Sequence, residues 1–294
     1  MDDKPESLTL GFIGLGAMGW PMCGHLQRAG HRLRVWARDA ARRERAAAAG
    51  MQVCASAADV AAGAQVVLCN VTSTADVEQV LLGEHGVVHG AAPGLLCIDH
   101  STIAPDGARR IGAGLRDRGV DFVDAPVSGG ERGAIDGTLT VMLGGDAAAC
   151  ARALPLLRCY GSHIERIGDI GAGQVAKLCN QIVQVITIEG IAEAMRYCAA
   201  EGADAQRVLQ VLSSGFAGSR MLELMGPKMV ARDFAAGIQA RLHAKDFGLA
   251  AAAAAAAGLT LPALTAVRAQ PDRLVEMGLG TQDTSALLQV LERG

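Results

Sequence analysis

Leu8-Thr9-Leu10-Gly11-Phe12-Ile13-Gly14-Leu15-Gly16-Ala17-Met18-Gly19 decides the fold of this chain. The first six residues form a largely apolar, β-favouring run. The glycines that follow are spaced Gly-x-Gly-x-x-Gly, and a helix-like stretch, 18–29, comes next. In a strand–turn–helix setting each glycine has a task. Gly14 makes the tight turn, and Gly16 lets the backbone approach a pyrophosphate. Gly19 lets the helix pack close to the sheet with its N-terminus facing the anion. The spacing by itself means only a strand-to-helix turn. In this context it predicts a dinucleotide loop made of Gly14, Leu15, Gly16, Ala17, Met18 and Gly19.

The same alternation runs outward from the loop. β-rich runs at 8–13, 32–36, 66–70, 95–99 and 120–123, and later at 138–143 and 163–167, are separated in the early part by helix-like stretches such as 41–49. This predicts βαβ units and a parallel sheet with both faces covered. After Gly168 the texture changes. Residues 173–200 contain no proline and one internal glycine, and Val175, Leu178, Ile182, Val185, Ile188 and Ala192 recur at spacings of three and four. One long helix of roughly 40 Å is expected there. Further helices are expected at 205–212, 220–224, 244–257, 261–277 and 285–291, with Pro271 breaking or kinking the fourth. The alanine run 250–257 reads as a closely packed helix. The expected class is therefore α/β. A Rossmann-type dinucleotide-binding domain at 1–170 precedes an all-α domain at 171–294, and a long helix joins them.

Composition bounds the function. The 294 residues suit two domains of about 150 each. Half of them are hydrophobic, enough for substantial cores and too many for a disordered tail. A net charge of −3, with 3% aromatic residues, excludes general nucleic-acid binding. The polar start Met1-Asp2-Asp3-Lys4-Pro5-Glu6-Ser7 lacks the basic-then-apolar order of a secretory signal. The run 250–257 falls far short of the ~20 residues that a membrane span needs. The eight cysteines are scattered without Cys-x-x-Cys spacing. Most are expected as free core thiols in a reducing, cytoplasmic setting, with neither disulfides nor zinc ligation.

Several residues carry candidate chemistry. The second strand ends Val35-Trp36-Ala37-Arg38-Asp39, about where an NAD site places a carboxylate for the ribose. Ala37 occupies that position and Arg38 follows, with Arg42 and Arg43 nearby. A guanidinium can grip a 2′-phosphate with two hydrogen bonds, which favours NADP(H) over NAD(H). Two alternatives stay open: Asp39 as the ribose carboxylate, and Arg38 as a solvated loop charge. Asn70-Val71-Thr72 ends a strand at the sheet edge where cofactors lie, so Asn70 is a candidate contact. Ser128-Gly129-Gly130 offers a hydroxyl and open backbone N–H groups to a carboxylate or hydroxyl; a structural turn is the plainer reading. Lys177, Asn180, Gln181 and Gln184 share one helix face. That face is either a polar stripe in water or a functional one. No cluster of His, Asp or Glu suggests a metal.

With these residues in view, the chain resembles the β-hydroxyacid dehydrogenase family, through four motifs in order. They are Gly11-Phe12-Ile13-Gly14-Leu15-Gly16-Ala17-Met18-Gly19; Asp124-Ala125-Pro126-Val127-Ser128-Gly129-Gly130, running on to Gly137-Thr138-Leu139-Thr140-Val141-Met142; Gly171-Ala172-Gly173-Gln174-Val175-Ala176-Lys177-Leu178-Cys179-Asn180-Gln181; and Lys245-Asp246-Phe247-Gly248-Leu249-Ala250. The family's strand Ile98-Asp99-His100-Ser101-Thr102 is present too. The resemblance implies that Ser128, Gly129 and Gly130 bind substrate. It makes Lys177 the catalytic lysine and Asn180 its partner in positioning. It sets Thr102 beside the nicotinamide and Lys245 over the cofactor, closing a cleft against it. His100 and His243 invite a catalytic reading, but His100 stands where the family has no fixed residue type and reads as packed or hydrogen-bonded. Lys177 serves as general acid, with a pKa expected below its usual value of about 10.4.

The activity so implied is NAD(P)H-dependent reduction of a small 3-oxo acid, a semialdehyde, to its β-hydroxyacid, and the reverse. The enzyme is expected as a homodimer or homotetramer that needs no metal. Leu242-His243-Ala244-Lys245-Asp246 and Gly215-Phe216-Ala217-Gly218-Ser219 look like the tartronate semialdehyde branch, more than the 3-hydroxyisobutyrate branch. Gln239, Ala240 and Thr284 depart from that branch's pattern. Ser219, Gln181 and His243 could meet the extra hydroxyl of tartronate semialdehyde, which a site built for it must satisfy. Lys177 with Asn180 argues against a non-catalytic nucleotide-binding regulator. An imine reductase usually has Asp or Tyr at the lysine position. A 6-phosphogluconate dehydrogenase has a much longer helical domain.

Overall fold

Thr9–Ile13 forms β1, and its last four residues are all buried, as a central strand covered on both faces requires. The computed structural model describes residues 7–293. Residues 1–6, most of the polar start read above, lie outside that range with residue 294. From β1 the chain passes through α1 (Gly19–Arg28), β2 (Arg32–Trp36), α2 (Ala40–Ala48), the short β3 (Gln52–Val53) and α3 (Ala57–Ala61). It continues through β4 (Val66–Cys69), α4 (Thr74–Leu82), β5 (Leu96–Asp99), α5 (Pro105–Arg116) and β6 (Asp121–Asp124). The side chains of Asp39, Ser56 and Ser73 start α2, α3 and α4 by accepting a free backbone N–H in the first turn. All six strands pair in parallel in the order β3-β2-β1-β4-β5-β6. The order reverses between β1 and β4. Such a switch point opens a crevice at the carboxyl ends of the strands, where doubly wound sheets bind ligands. One core layer, around Phe12, Met22, Leu26 and Tyr160, covers one face. Another, around Ile13, Val60, Leu81 and Ile111, covers the other.

The sheet does not stay parallel. Only Ala125 and Pro126 separate β6 from β7 (Val127–Ser128), far too few for the crossover that a parallel neighbour needs. After α6 (Gly130–Asp136), β8 (Leu139–Gly145) pairs antiparallel with both β6 and β7. After α7 (Ala147–Leu157), β9 (Gly161–Gly168) pairs in parallel with β8. The described residues thus hold a mixed nine-stranded sheet.

The chain divides into two compact units, Met1–Lys177 and Leu178–Gly294. The 29-residue α8 (Ala172–Ala200) begins in the first and continues through the second. The second unit adds α9 (Ala205–Ser214), α10 (Arg220–Ala231), α11 (Ala240–Ala256), α12 (Pro262–Val267), α13 (Ala269–Leu274) and α14 (Leu287–Arg293). One of its cores gathers Ile188, Met195, Leu222, Met229 and Leu287, and another Leu178, Val185, Phe247 and Leu264.

Two helices, α10 and α11, differ from expectation in extent. α11 starts at Ala240 rather than 244 because Ala240 N–H and Arg241 N–H donate to the carbonyls of Gln282 and Gly280, at 2.8 and 2.9 Å. α10 runs past Pro227 to Ala231. Arg232 follows in the left-handed region at φ 55° and holds Glu292 with two hydrogen bonds, at 2.7 and 2.9 Å. The element at 261–277 is broken, as Pro271 implied, into α12, α13 and a wide turn over 275–279. Pro271 lacks an N–H and crowds the carbonyl four residues back, at Val267, where α12 ends. No described helix is long and apolar enough to cross a membrane, and all eight cysteines are free.

Candidate active site

The turn after β1 is built for close approach. Gly14 sits at φ +99°, and a Cβ there would lie 2.2 Å from the carbonyl oxygen of Asn70, so the end of β4 presses directly on the turn. A Cβ on Gly19 would lie 2.0 Å from the Gly14 carbonyl, which seats the first turn of α1 on the loop. At Gly16 the nearest atom to such a Cβ would be Nη1 of Arg42, at 3.6 Å. The backbone there is open to a ligand. Leu15 and Gly19 are buried, Ala17 is exposed, and Met18 is half-buried. A pyrophosphate fits this cradle: an open glycine backbone ahead of the ten-residue α1, with a guanidinium alongside.

The charged groups after β2 divide their work. Ala37 is buried where a ribose carboxylate would stand. Asp39 accepts the Arg42 N–H at 3.0 Å as the cap of α2. Arg43 donates to the carbonyls of Ala37 and Arg38, at 2.6 and 2.8 Å, and so fixes the loop. The Arg38 side chain is 72% exposed and pairs with Asp76 of α4 at 3.1 Å. Beside the loop lies a groove of about 620 Å³, lined by Gly16, Ala17, Trp20, Arg28, Arg42 and Arg45 among others.

The carboxyl ends of β4, β5 and β6 bring the next residues together. Asn70 N–H donates to Ile13 O at 2.9 Å, and Val71 N–H to Ser101 Oγ at 2.9 Å. Thr102 follows Ser101 and is half-buried. Asp99 is fully buried, and its Oδ1 accepts the Cys69 thiol at 3.1 Å and the Ser101 N–H at 2.9 Å. His100 is packed and bonded at both ring nitrogens. Ala125 O can only accept, so Nδ1 carries the proton toward it at 2.7 Å, and Nε2 accepts the Tyr160 hydroxyl at 2.8 Å. Burial pushes its pKa down to about 4, which keeps the ring neutral.

Ser128 ends β7 opposite Thr140 of β8 and is half-buried, Gly129 is exposed, and Gly130 opens α6. Just upstream, fully buried Asp124 accepts Gly171 N–H at Oδ1 (2.7 Å) and Gln174 N–H at Oδ2 (2.9 Å). Burial raises its pKa to about 6 against the pull of those two bonds, and the Asp99 carboxylate adds to the rise. Lys177 stands on the next turn of α8 and is 8% exposed. Gln181 is also buried, and Asn180 and Gln184 are half-buried. The polar face read from the sequence is therefore not a stripe in water.

In the second unit, Asn180 Nδ2 donates to Gln181 Oε1 at 2.9 Å, and Gln181 Nε2 donates to Asp246 Oδ2 at 2.7 Å. Asp246 Oδ1 pairs with Lys245 Nζ at 2.9 Å. The three groups expected to meet a second substrate hydroxyl all have other bonds. Gln181 is in this chain, Ser219 caps α10 through Leu222 N–H at 3.1 Å, and buried His243 bonds Thr284 Oγ1 through Nδ1 at 2.8 Å. That expectation gains no support from their geometry. Sequence reasoning also missed Gln174, Asp124 and Asp246 as organising residues. They stand inside the quoted motifs, but their partners are 47 to 73 residues away. Among the described residues, no three His, Cys, Asp or Glu side chains gather as a metal site.

Known proteins share this layout. Residues 9–171 match the family described as the NAD binding domain of 6-phosphogluconate dehydrogenase. Residues 171–291 match that described as the NAD-binding domain of NADP-dependent 3-hydroxyisobutyrate dehydrogenase. The chain is 39% identical to 2-hydroxy-3-oxopropionate reductase of Escherichia coli (strain K12), over 97% of each chain. It is 38% identical to the NAD-dependent L-serine dehydrogenase of Pseudomonas aeruginosa, over 96% of this chain and 97% of that one. A solved structure of Mycobacterium tuberculosis 3-hydroxyisobutyrate dehydrogenase with L-serine superposes with a TM-score of 0.90 at 33% identity, covering 97% of this chain and 99% of the other. On these matches and the strand order above, the chain belongs to the β-hydroxyacid dehydrogenase family of NAD(P)-dependent oxidoreductases acting on CH–OH groups.

Proposed function

We propose that the protein reduces tartronate semialdehyde to glycerate with NADPH, and catalyses the reverse oxidation. The observation that carries this reading is 39% identity to 2-hydroxy-3-oxopropionate reductase across 97% of both chains. Residues 1–170 hold the cofactor, and 171–294 serve substrate and self-association in a homodimer or homotetramer. The loop from Gly14 to Gly19, with Asn70, Thr102 and Lys245, binds the dinucleotide. When bound, that cofactor supplies the hydride that reaches the aldehyde carbon. Ser128, Gly129 and Gly130 hold the substrate carboxylate, and Asn180 orients the reacting carbon. Lys177 gives a proton from its ammonium to the oxygen that becomes the alcohol, and its charge stabilises the developing alkoxide. In the oxidation the neutral amine takes that proton back. Burial of Lys177 at 8% exposure supports the role, because a water-excluded cation acts strongly on a nearby oxyanion.

NADPH is favoured by the buried Ala37 in the place of a ribose carboxylate, and by Asp39 acting as a helix cap. Arg42, and Arg38 in exchange for its ion pair with Asp76, meet a 2′-phosphate. A second reading, oxidation of L-serine, draws on the 38% identity to L-serine dehydrogenase and on the bonded state of Gln181, Ser219 and His243. Turnover of tartronate semialdehyde, methylmalonate semialdehyde, succinic semialdehyde, glyoxylate, L-serine and threonate with both cofactors decides between them. The highest kcat/KM is expected for tartronate semialdehyde. Equal or higher efficiency with methylmalonate semialdehyde or L-serine overturns the substrate reading and leaves the family intact.

A further inference from the structure

Gln174 is fully buried one turn before Lys177, and its amide is bonded at both ends. Oε1 accepts the Ile103 N–H at 3.0 Å, and Nε2 donates to the Ser101 carbonyl at 2.8 Å. These two backbone groups flank Thr102. The same turn of α8 is gripped from β6 by Asp124, through Gly171 N–H and Gln174 N–H. Nothing larger than glycine fits beneath it. A Cβ on Gly173 would lie 2.4 Å from the Met142 carbonyl, and one on Gly144 would lie 2.5 Å from Asp124 Oδ1. The first turn of α8 is thus bonded to the ends of two strands, β5 and β6, and packed closely against β8.

We propose that Gln174, backed by Asp124, is a positioning residue that sets Lys177 at a fixed distance from the Thr102 loop. The proposal rests on the reading of Lys177 as the proton donor. A helix turn held only by apolar packing can slide or rotate by fractions of an ångström. Two hydrogen bonds from one side chain to backbone on either side of Thr102 remove that freedom. A displacement of about 1 Å at a reacting group can cost on the order of 100-fold in rate.

The test is Gln174→Met, which keeps the length and burial of the side chain and removes both bonds, made in the native enzyme and in Lys177→Ala. The measurements are kcat, KM, NADPH Kd and the isotope effect with 4-deuterated NADPH, on whichever substrate of the set above turns over fastest. In the native background kcat should fall about 10- to 100-fold, with KM and Kd within about threefold and a larger isotope effect. In the Lys177→Ala background the same substitution should change kcat by less than about threefold, because it acts through the missing lysine. An equal fold-loss in both backgrounds, or a normal kcat for Gln174→Met beside an inactive Lys177→Ala, overturns the positioning role alone. Near-normal turnover of Lys177→Ala removes the underlying reading as well. If Gln174→Met does not fold, Gln174→Glu carries the same comparisons. It keeps the acceptor for Ile103 N–H and loses the donor to Ser101.

Discussion

Gln181 on α8 donates to Asp246 on α11 at 2.7 Å, both side chains being buried. Through this bond Asn180, on one side, and Lys245, paired with Asp246 on the other, belong to one hydrogen-bonded chain. Asp246→Ala should leave the Gln181 amide N–H buried without its acceptor and Lys245 without its carboxylate. A buried polar group that loses its partner costs about 1–3 kcal/mol. Urea unfolding should show a loss of that size, and a change below about 0.5 kcal/mol would mean that the bond contributes little.

Cofactor choice should follow Arg38 and its neighbour. A charge-assisted hydrogen bond contributes about 1.5–3 kcal/mol, so NADPH should bind roughly 10- to 150-fold more tightly than NADH. Arg38→Ala should remove much of that ratio. Asp76→Ala, which releases the Arg38 guanidinium from its ion pair, should raise NADPH affinity a few-fold. Fluorescence titration measures all three. Tighter binding of NADH would assign the ribose to Asp39.

Glu189 should make the fold less stable in alkali. It is 2% exposed with no hydrogen-bond partner at either carboxylate oxygen. Burial, with Glu193 adding to it, raises its pKa from 4.5 to about 7. Between those values the folded chain binds more protons than the unfolded one. The group's stabilising contribution is therefore present at low pH and lost as pH rises through 7. Glu189→Gln should be more stable than the native chain at pH 8 by about 1–3 kcal/mol, and should lose most of that advantage at pH 5. The same difference at both pH values contradicts this.

His100 should stay neutral through the working range. Its depressed pKa of about 4 means that it contributes stability above pH 6.5, lost as pH falls toward 4. Its imidazole signals in NMR should not titrate between pH 8 and 5. A midpoint near 6.5 would show that the ring is not shut away from water as its burial requires.

What could be read from the sequence was local. The loop from Gly14 to Gly19 is legible because strand, turn and helix are contiguous, and α8 because its apolar residues keep helical spacing from Val175 to Ala192, about five turns. β7 was hidden, since a two-residue strand carries no periodic signal; β8 was legible as the β-rich run 138–143, but its antiparallel direction was not. The start of α11 was hidden because backbone carbonyls near Gly280 supply its first bonds. Lys177 was legible as a polar residue in an apolar helix. The bonds around it were not. Asp124 to Gly171, Gln174 to Ser101 and Gln181 to Asp246 each join residues about 50 to 70 positions apart, and no pattern within a single element encodes them. For the same reason Gln181, Ser219 and His243 looked available to a substrate until their partners were known.

The central claim is that Lys177 moves the proton. Single-turnover kinetics of Lys177→Ala with saturating NADPH test it most directly, with cofactor affinity measured alongside. The account predicts a hydride-transfer rate lower by about 10²–10⁴-fold at nearly unchanged NADPH Kd, the usual share of general acid–base catalysis. A variant that keeps more than about a tenth of the native rate under these conditions would contradict it.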